Sequence, residues 1–396
     1  MTAPTKTFCI LPWIHLYSNP DGTVLPCCVG DWQQSMGNVQ DGKLETVFNN
    51  ESFKTMRRNM LAGKKCSQCT ACYRDEEAGN SSFRKHSNEQ FAKYIDDAVK
   101  NTNPDGTVDD FKLRYLDVRW SNICNFKCRT CGPLYSSSWA KEDGLKNVYT
   151  FAGGANNDKL YNQFLPHFDT IEEFYFAGGE PLLTDKHYDI LEYLIEHGRT
   201  DVKLRYNTNM SVLRYKNKNV LDLWKHFSNI YIGASLDSWG ARAEYIRHGT
   251  DWSVIESNIR KIRTEAPHIH LQTNTVVSIL NIATLIEFIE YMIDNELVDP
   301  KKYNPHFYNI INPDFLSLQL LPETKNIIIR NKIANYAAAK GGNIEQSLQS
   351  VINGLKTTKH NSQLVGKFKM TIDHHDRLRN EDILIPFPEL EALIEE

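Results

Sequence analysis

From about residue 111 onward, short apolar or alternating runs are separated by longer stretches with helical spacing. KLRYLDVRWS (112–121), IEEFYFAGG (171–179), VKLRYNTNM (202–210), IYIGASLDS (230–238), HLQTNTVVS (270–278) and FLSLQLL (315–321) read as strands. They are rich in β-branched and aromatic residues and bounded by Gly, Asn, Asp or Ser, and several are apolar enough for a buried parallel sheet. Between them, DKHYDILEYLIEHG (185–198), KNVLDLWKHF (218–227), DWSVIESNIRKIRTE (251–265) and TLIEFIEYMID (284–294) carry the spacing of amphipathic helices. Alternation of this kind predicts an α/β fold, a partial (βα)6 TIM-like barrel of parallel strands over residues 111–325.

On either side the pattern changes. Residues 1–100 are polar and turn-rich and hold two groups of cysteines, so they read as a small cysteine-rich domain. NTNPDGTVDD (101–110) supplies the turn signals that separate it from the barrel. Residues 326–396 open with the helical NIIIRNKIANYAAAK and form a carboxyl-terminal helical extension on which no chemistry is placed. Its DHHD (373–376) reads as a solvated loop rather than a metal site.

Length and composition bound the class. At 396 residues the chain fits one large and one smaller domain, and 41% hydrophobic with 24% charged residues is ordinary globular composition. A net charge of -4 gives no reason to expect nucleic acid as a partner. No apolar run reaches the roughly 20 residues of a membrane span. The start MTAPTKTFCILPW lacks the marks of a signal peptide, so a cytoplasmic location is expected.

Cysteine usage alters the picture. There are nine, all between Cys9 and Cys131. An odd number clustered in C-x3-C and C-x2-C spacings points to metal ligation rather than disulfides or buried filler. SNICNFKCRTCGP (121–133) holds Cys124, Cys128 and Cys131 directly after the first barrel strand, the end at which parallel βα barrels place their active sites. Thiolates in this spacing suit an iron–sulfur cluster or zinc. Three ligands leave one metal position open.

CNFKCRTC resembles the C-x3-C-x2-C signature of the radical S-adenosylmethionine (SAM) superfamily, with Thr130 where an aromatic residue is usual. The resemblance implies a [4Fe–4S] cluster held by Cys124, Cys128 and Cys131, with its unique iron chelating SAM. FYFAGGEPLL (174–183) resembles that family's Gly-Gly-Glu motif: Gly178 and Gly179 let the backbone approach the ligand, and Glu180 accepts from the SAM ammonium. RYNTNM (205–210) resembles the third-strand end and places Asn207 and Asn209 at the pocket rim. ASLDSWGARAEYIRHG (234–249) resembles the fourth-strand region; there Ser235 and Asp237 bond carboxylate or ribose, and Arg247 pairs with the SAM carboxylate through its planar fork. Gln272 and Asn274 share one face of the fifth strand and either line the barrel or touch the cofactor. Tyr175, Phe176, Tyr206 and Trp239 read as barrel core.

The amino-terminal cysteines form a second constellation. Cys9 precedes PDG, then Cys27 and Cys28, then Cys66, Cys69 and Cys72, each two residues apart. Spacing alone leaves zinc and iron–sulfur open. The block resembles a SPASM or twitch domain, the auxiliary-cluster module of many radical SAM enzymes, here before the barrel rather than after it. That resemblance implies an auxiliary cluster, [4Fe–4S] by type, on Cys9, Cys27, Cys69 and Cys72, with Cys66 and Cys28 in reserve. Arg84, Lys85 and His86 read as a solvated charge run.

The resemblance implies reductive cleavage of SAM to methionine and a 5′-deoxyadenosyl radical that abstracts hydrogen. The expected substrate is a small molecule (sugar, nucleoside or amino-acid-like) or a peptide, and the expected electron donor is a flavodoxin or ferredoxin. The competing expectation is an iron–sulfur or zinc protein for electron transfer or assembly without SAM chemistry.

Overall fold

A computed structural model of the chain describes residues 3–77, 79, 81–145 and 155–395. Two compact units divide it. The first comprises 1–123, 145–206 and 225–230; the second comprises 124–144, 207–224 and 231–396.

In the first unit the sheet is built on β1 (His15–Ser18), β2 (Val24–Leu25), β3 (Tyr115–Val118), β4 (Glu173–Phe176) and β5 (Lys203–Thr208), in the order β5-β4-β3-β1-β2. β1, β3, β4 and β5 run parallel, and β2 folds back on β1 as a hairpin. Successive side chains point to opposite faces of a strand. The register therefore aligns His15 with Tyr115 and Glu173, and Tyr17 with Asp117, on one polar face. Leu16, Leu116, Val118, Phe174, Phe176 and Leu204 are buried on the other. The helix Asp185–Glu196 buries Tyr188, Ile190, Leu191 and Leu194, its i, i+3, i+4 stripe.

The second unit pairs β6 (Ile230–Ser235), β7 (His270–Val277) and β8 (His306–Asn309) in parallel. Trp252–Glu265 and Leu285–Asp294 are the helices expected between strands. The class is the one the sequence predicts: α/β, a partial TIM-like barrel of parallel strands.

One strand was assigned to the wrong segment. FLSLQLL forms two 3-10 turns, Asp314–Leu316 and Leu318–Leu320, and the sixth barrel strand is HFYN. Phe315, Leu316, Leu318 and Leu320 are all buried, which mimics a core strand without its period. HFYN is four residues long, and its Tyr308 is 55% exposed, so it carries almost no apolar signal. The carboxyl-terminal segment is helical as expected, with Glu323–Lys340, Gly342–Thr357 and Gln363–Arg379. DHHD lies inside the last of these helices, not in a loop. Among the described residues no helix is long and apolar enough to cross a membrane.

Candidate functional site

The three-cysteine loop is organised by short-range hydrogen bonds. Ser136 caps the helix Ser137–Glu142 and donates to the Phe126 carbonyl at 2.6 Å. The Cys124 amide donates to Ser137 Oγ (3.2 Å), and its carbonyl accepts from Ser138 Oγ (2.7 Å). Trp139 Nε1 donates to the Cys128 carbonyl at 2.7 Å, and the Cys131 amide closes a turn onto the same carbonyl at 3.0 Å. The Phe126 amide lies 3.5 Å from Cys124 Sγ. Burial pushes the Cys131 thiol up to about 12, with the Cys128 sulfur adding repulsion. Two buried sulfurs that resist ionisation together fit a cationic cluster, which supplies the missing positive charge.

A two-residue ribbon pairs Lys127–Cys128 with Arg247–His248, placing Arg247 opposite Cys128. Arg247 Nη1 reaches Cys128 Sγ at 3.8 Å, and Arg247 Nε forms an ion pair with Asp237 at 2.8 Å. Asp237 is fully buried, and its second oxygen accepts the Val276 amide at 2.8 Å. Asp237 is thus engaged with Arg247 and the backbone rather than presented towards a ribose, and it orients the guanidinium that the sequence assigns to the SAM carboxylate.

The strand-end residues meet one another. Asn274 Nδ2 donates to Asn207 Oδ1 at 2.6 Å across Gly233, where a Cβ would stand 2.1 Å from Asn274. Asn209 bonds Asn125 inside the cysteine loop at 3.0 Å. Gln272 is fully buried, with its amide nitrogen 3.1 Å from His306 and its oxygen without a protein partner. Ser235 ends β6, partly exposed.

Sequence reasoning missed Arg129 and the extension that holds it. Arg129 is fully buried, stacks 3.4 Å from the Tyr245 ring centroid, and pairs with Asp376 (2.6 Å) and Glu381 (2.8 Å). Arg379 bonds Glu142 at 2.7 Å and lies over Trp139, whose ring also meets His375 edge-on at 5.1 Å. The Asp376 of DHHD therefore clamps the cysteine loop. Only an Arg between two cysteines of the triplet hinted at such a partner.

In the first unit the Gly-Gly-Glu turn packs on the chain leading to Cys124. The Gly179 and Glu180 amides donate to the Ser121 (3.0 Å) and Ile123 (2.7 Å) carbonyls. A Cβ on Gly179 would sit 2.2 Å from the Ile123 oxygen, so only glycine permits this approach. Gly178, at φ 125°, abuts the Ser121 carbonyl. Glu180 is buried, and one of its oxygens caps the turn Pro181–Leu183 through the Leu182 amide. The glycines here bring backbone to backbone, a role beside the one the sequence suggests.

The amino-terminal cysteines divide into two sets. Cys9, Cys27, Cys69 and Cys72 line one cavity with Leu11, Pro26, Met60 and Arg84. Cys66 Sγ turns to the Met56 carbonyl (3.8 Å), and Cys28 lies among Asp117, Arg119 and Arg205. Burial pushes Cys9 up to about 12 and Cys27 and Cys69 higher still, and neighbouring cysteine sulfurs add to each rise. Backbone amides of Leu11, Val29 and Arg84 face the sulfurs of Cys9, Cys27 and Cys72. Four thiols in an apolar cavity with amide donors aimed at three of them fit a four-cysteine iron–sulfur cluster.

Residues 9–73 match the SPASM family, an iron–sulfur cluster-binding domain. A GTP 3′,8-cyclase of Campylobacter curvus is 27% identical over 111 residues, 27% of this chain and 31% of that protein. One of Pasteurella multocida is 27% identical over 155 residues, 39% of this chain and 42% of that protein. The chain carries a SPASM iron–sulfur cluster-binding domain over residues 9–73. The chain spans less than half the length of these curated relatives. Among solved structures, anSMEcpe with bound AdoMet is 18% identical over 58% of each chain at a TM-score of 0.42. TYW1 with a lysine-pyruvate adduct is 11% identical over 53% of this chain and 68% of that one, at 0.30.

The polar sheet face of the first unit is densely charged. Arg119 pairs with Asp117 at 2.9 Å, Arg205 and Lys203 meet Glu173 at 3.4 and 3.0 Å, and both arginines lie against Tyr175. Burial raises Asp117 to about 6 despite Arg119 and Arg205, and lowers His15 to about 3. A barrel interior of this kind is normally filled by Val, Ile and Leu. Tyr175 thus belongs to this polar face, whereas Phe176 and Tyr206 stack in the core at 5.0 Å.

Proposed function

We propose that Cys124, Cys128 and Cys131 hold the cluster that binds SAM, and that Cys9, Cys27, Cys69 and Cys72 hold a second, fully ligated one. Bound there, the first cluster and SAM supply one-electron cleavage of the sulfonium to methionine and a 5′-deoxyadenosyl radical, which abstracts hydrogen from the substrate. The observation that carries this reading is the division of the cysteines: four share one cavity, while three lie on another loop, one of them paired with Arg247. Arg247, oriented by Asp237, is the residue for the SAM carboxylate, because its fork suits that group and its charge is already desolvated. Glu180 is the acceptor for the SAM ammonium. Asn207, Asn209, Ser235 and Gln272 supply the hydrogen bonds around the cofactor.

The substrate is a small molecule rather than a peptide. The partial relatives are named for a reaction of GTP, and the inward row of Asp117, Arg119 and Arg205 suits a compact polar ligand. A flavodoxin or ferredoxin is the electron donor in this reading.

Anaerobic, reduced protein incubated with SAM is expected to form 5′-deoxyadenosine and methionine in equal amounts. A full-length variant with Cys124→Ala, Cys128→Ala and Cys131→Ala is expected to form neither. Wild-type protein that keeps its iron but leaves SAM intact under these conditions would instead be an iron–sulfur protein for electron transfer or assembly.

A further inference from the structure

The charge run at 84–86 does not face water as a unit. Lys85 and His86 are exposed, but Arg84 is buried on the helix Phe83–Gln90 and forms part of the wall of the four-cysteine cavity. Its guanidinium is fixed on three sides. Nε and Nη2 bond the two oxygens of Glu76 at 3.0 and 2.5 Å, and Nη1 donates to the Phe8 carbonyl at 2.7 Å, one residue before Cys9. The Arg84 amide faces Cys72 from the same residue. Arg84 lines the cavity and Glu76 does not; the Arg84 charge acts on Cys9, Cys69 and Cys72, and the Glu76 charge opposes it at Cys72.

Burying a guanidinium at this depth is costly unless something negative repays it. Glu76 offsets part of that cost, yet Glu76 alone does not explain why a buried arginine forms part of the wall of a four-cysteine cavity. A cluster on four thiolates is an anion that gains a further negative charge on reduction. A fixed cation beside it stabilises the reduced form more than the oxidised form, as do amide donors to the sulfurs.

We propose that Arg84, held by Glu76, sets the reduction potential of the auxiliary cluster and raises it. The proposal rests on the assignment of Cys9, Cys27, Cys69 and Cys72 as ligands. Arg84 is a positioning and tuning residue; it is not itself a ligand.

The test is an electron paramagnetic resonance titration of the full-length chain bearing Cys124→Ala, Cys128→Ala and Cys131→Ala, so that only the amino-terminal cluster is read. At a fixed potential near the midpoint, Arg84→Gln is expected to lower the reduced-to-oxidised ratio at least tenfold, about 59 mV for one electron. Arg84→Lys keeps the charge and should restore most of the ratio. Glu76→Gln removes the opposing charge and should shift the ratio the other way. A ratio within about twofold of the parent in Arg84→Gln, with iron content unchanged, overturns the proposal. If Arg84→Gln fails to hold iron, Glu76→Gln decides: no upward shift there overturns it equally. A triple-cysteine parent that contains no iron at all contradicts the ligand assignment instead, before any Arg84 variant is read.

Discussion

Arg247 is largely shielded and has a single carboxylate partner, and this determines what each nearby substitution does. Asp237→Asn leaves the guanidinium without a countercharge and is expected to destabilise the protein by about 3–5 kcal/mol in denaturant unfolding, while Arg247→Lys keeps the charge but loses the fork. SAM affinity of Arg247→Lys, read by equilibrium dialysis on reconstituted protein, should fall roughly tenfold, about 1.4 kcal/mol. His15 gives the pH counterpart. Its Nδ1 donates to the Tyr115 carbonyl at 3.0 Å, its ring stacks on Tyr115, and burial with no anionic partner lowers it to about 3. The unfolded chain therefore binds a proton that the folded one refuses. Stability from this group is complete above the ordinary imidazole value near 6.5 and is lost as pH falls below it. The wild-type unfolding midpoint should drop between about pH 7 and 5, and His15→Phe, which keeps the stack, should flatten that slope. An equal slope in both proteins would exclude His15 as the cause. At this scale the sequence was informative where chemistry is local. Cysteine spacings of three and two residues brought the three-thiol set into view, but the partner of Asp237 lies ten residues away on another element and left no periodic trace.

Among the elements, the carboxyl-terminal helix Gln363–Arg379 has the least obvious role in the sequence and a direct one in the fold. Its Asp376 and the following Glu381 hold Arg129 between two candidate ligands, and Arg379 holds Glu142 at the end of the same loop. Arg129→Met removes the buried cation from two carboxylates. It is expected to lower iron loading at the three-cysteine loop while leaving the SPASM site loaded, as read by iron counts against the triple-cysteine variant. Loss of iron from both sites would mean general unfolding instead. DHHD looked like a polar loop because alternating charge obscures a helix whose buried side is narrow: only Phe368, Ile372 and His375 are buried along it. HFYN was missed for the converse reason, as a strand whose neighbours rather than its own side chains make it one. β1 was equally invisible. HLYS reads as part of the cysteine-rich segment, yet it pairs in register with β3 and adds His15 and Tyr17 to the polar face.

For the whole molecule, the legible part was the alternation of strands and helices and the order of motifs along it, since both are written in contiguous sequence. The assembly of four cysteines from positions 9 to 72 was legible only through resemblance, because chain distance says nothing about which sulfurs share a cavity. The structure separates them: Cys66 turns to the Met56 carbonyl and Cys28 lies among Asp117, Arg119 and Arg205, while the other four line one cavity with Arg84. That separation underlies the central claim of two independent clusters, and iron and sulfide counts on anaerobically prepared protein test it most directly. Wild type should contain about eight irons per chain, and the Cys124→Ala, Cys128→Ala, Cys131→Ala variant about four, on the cubane stoichiometry. A variant devoid of iron, or a wild type with only about four irons, all lost with those three cysteines, would contradict a cluster in the amino-terminal cavity.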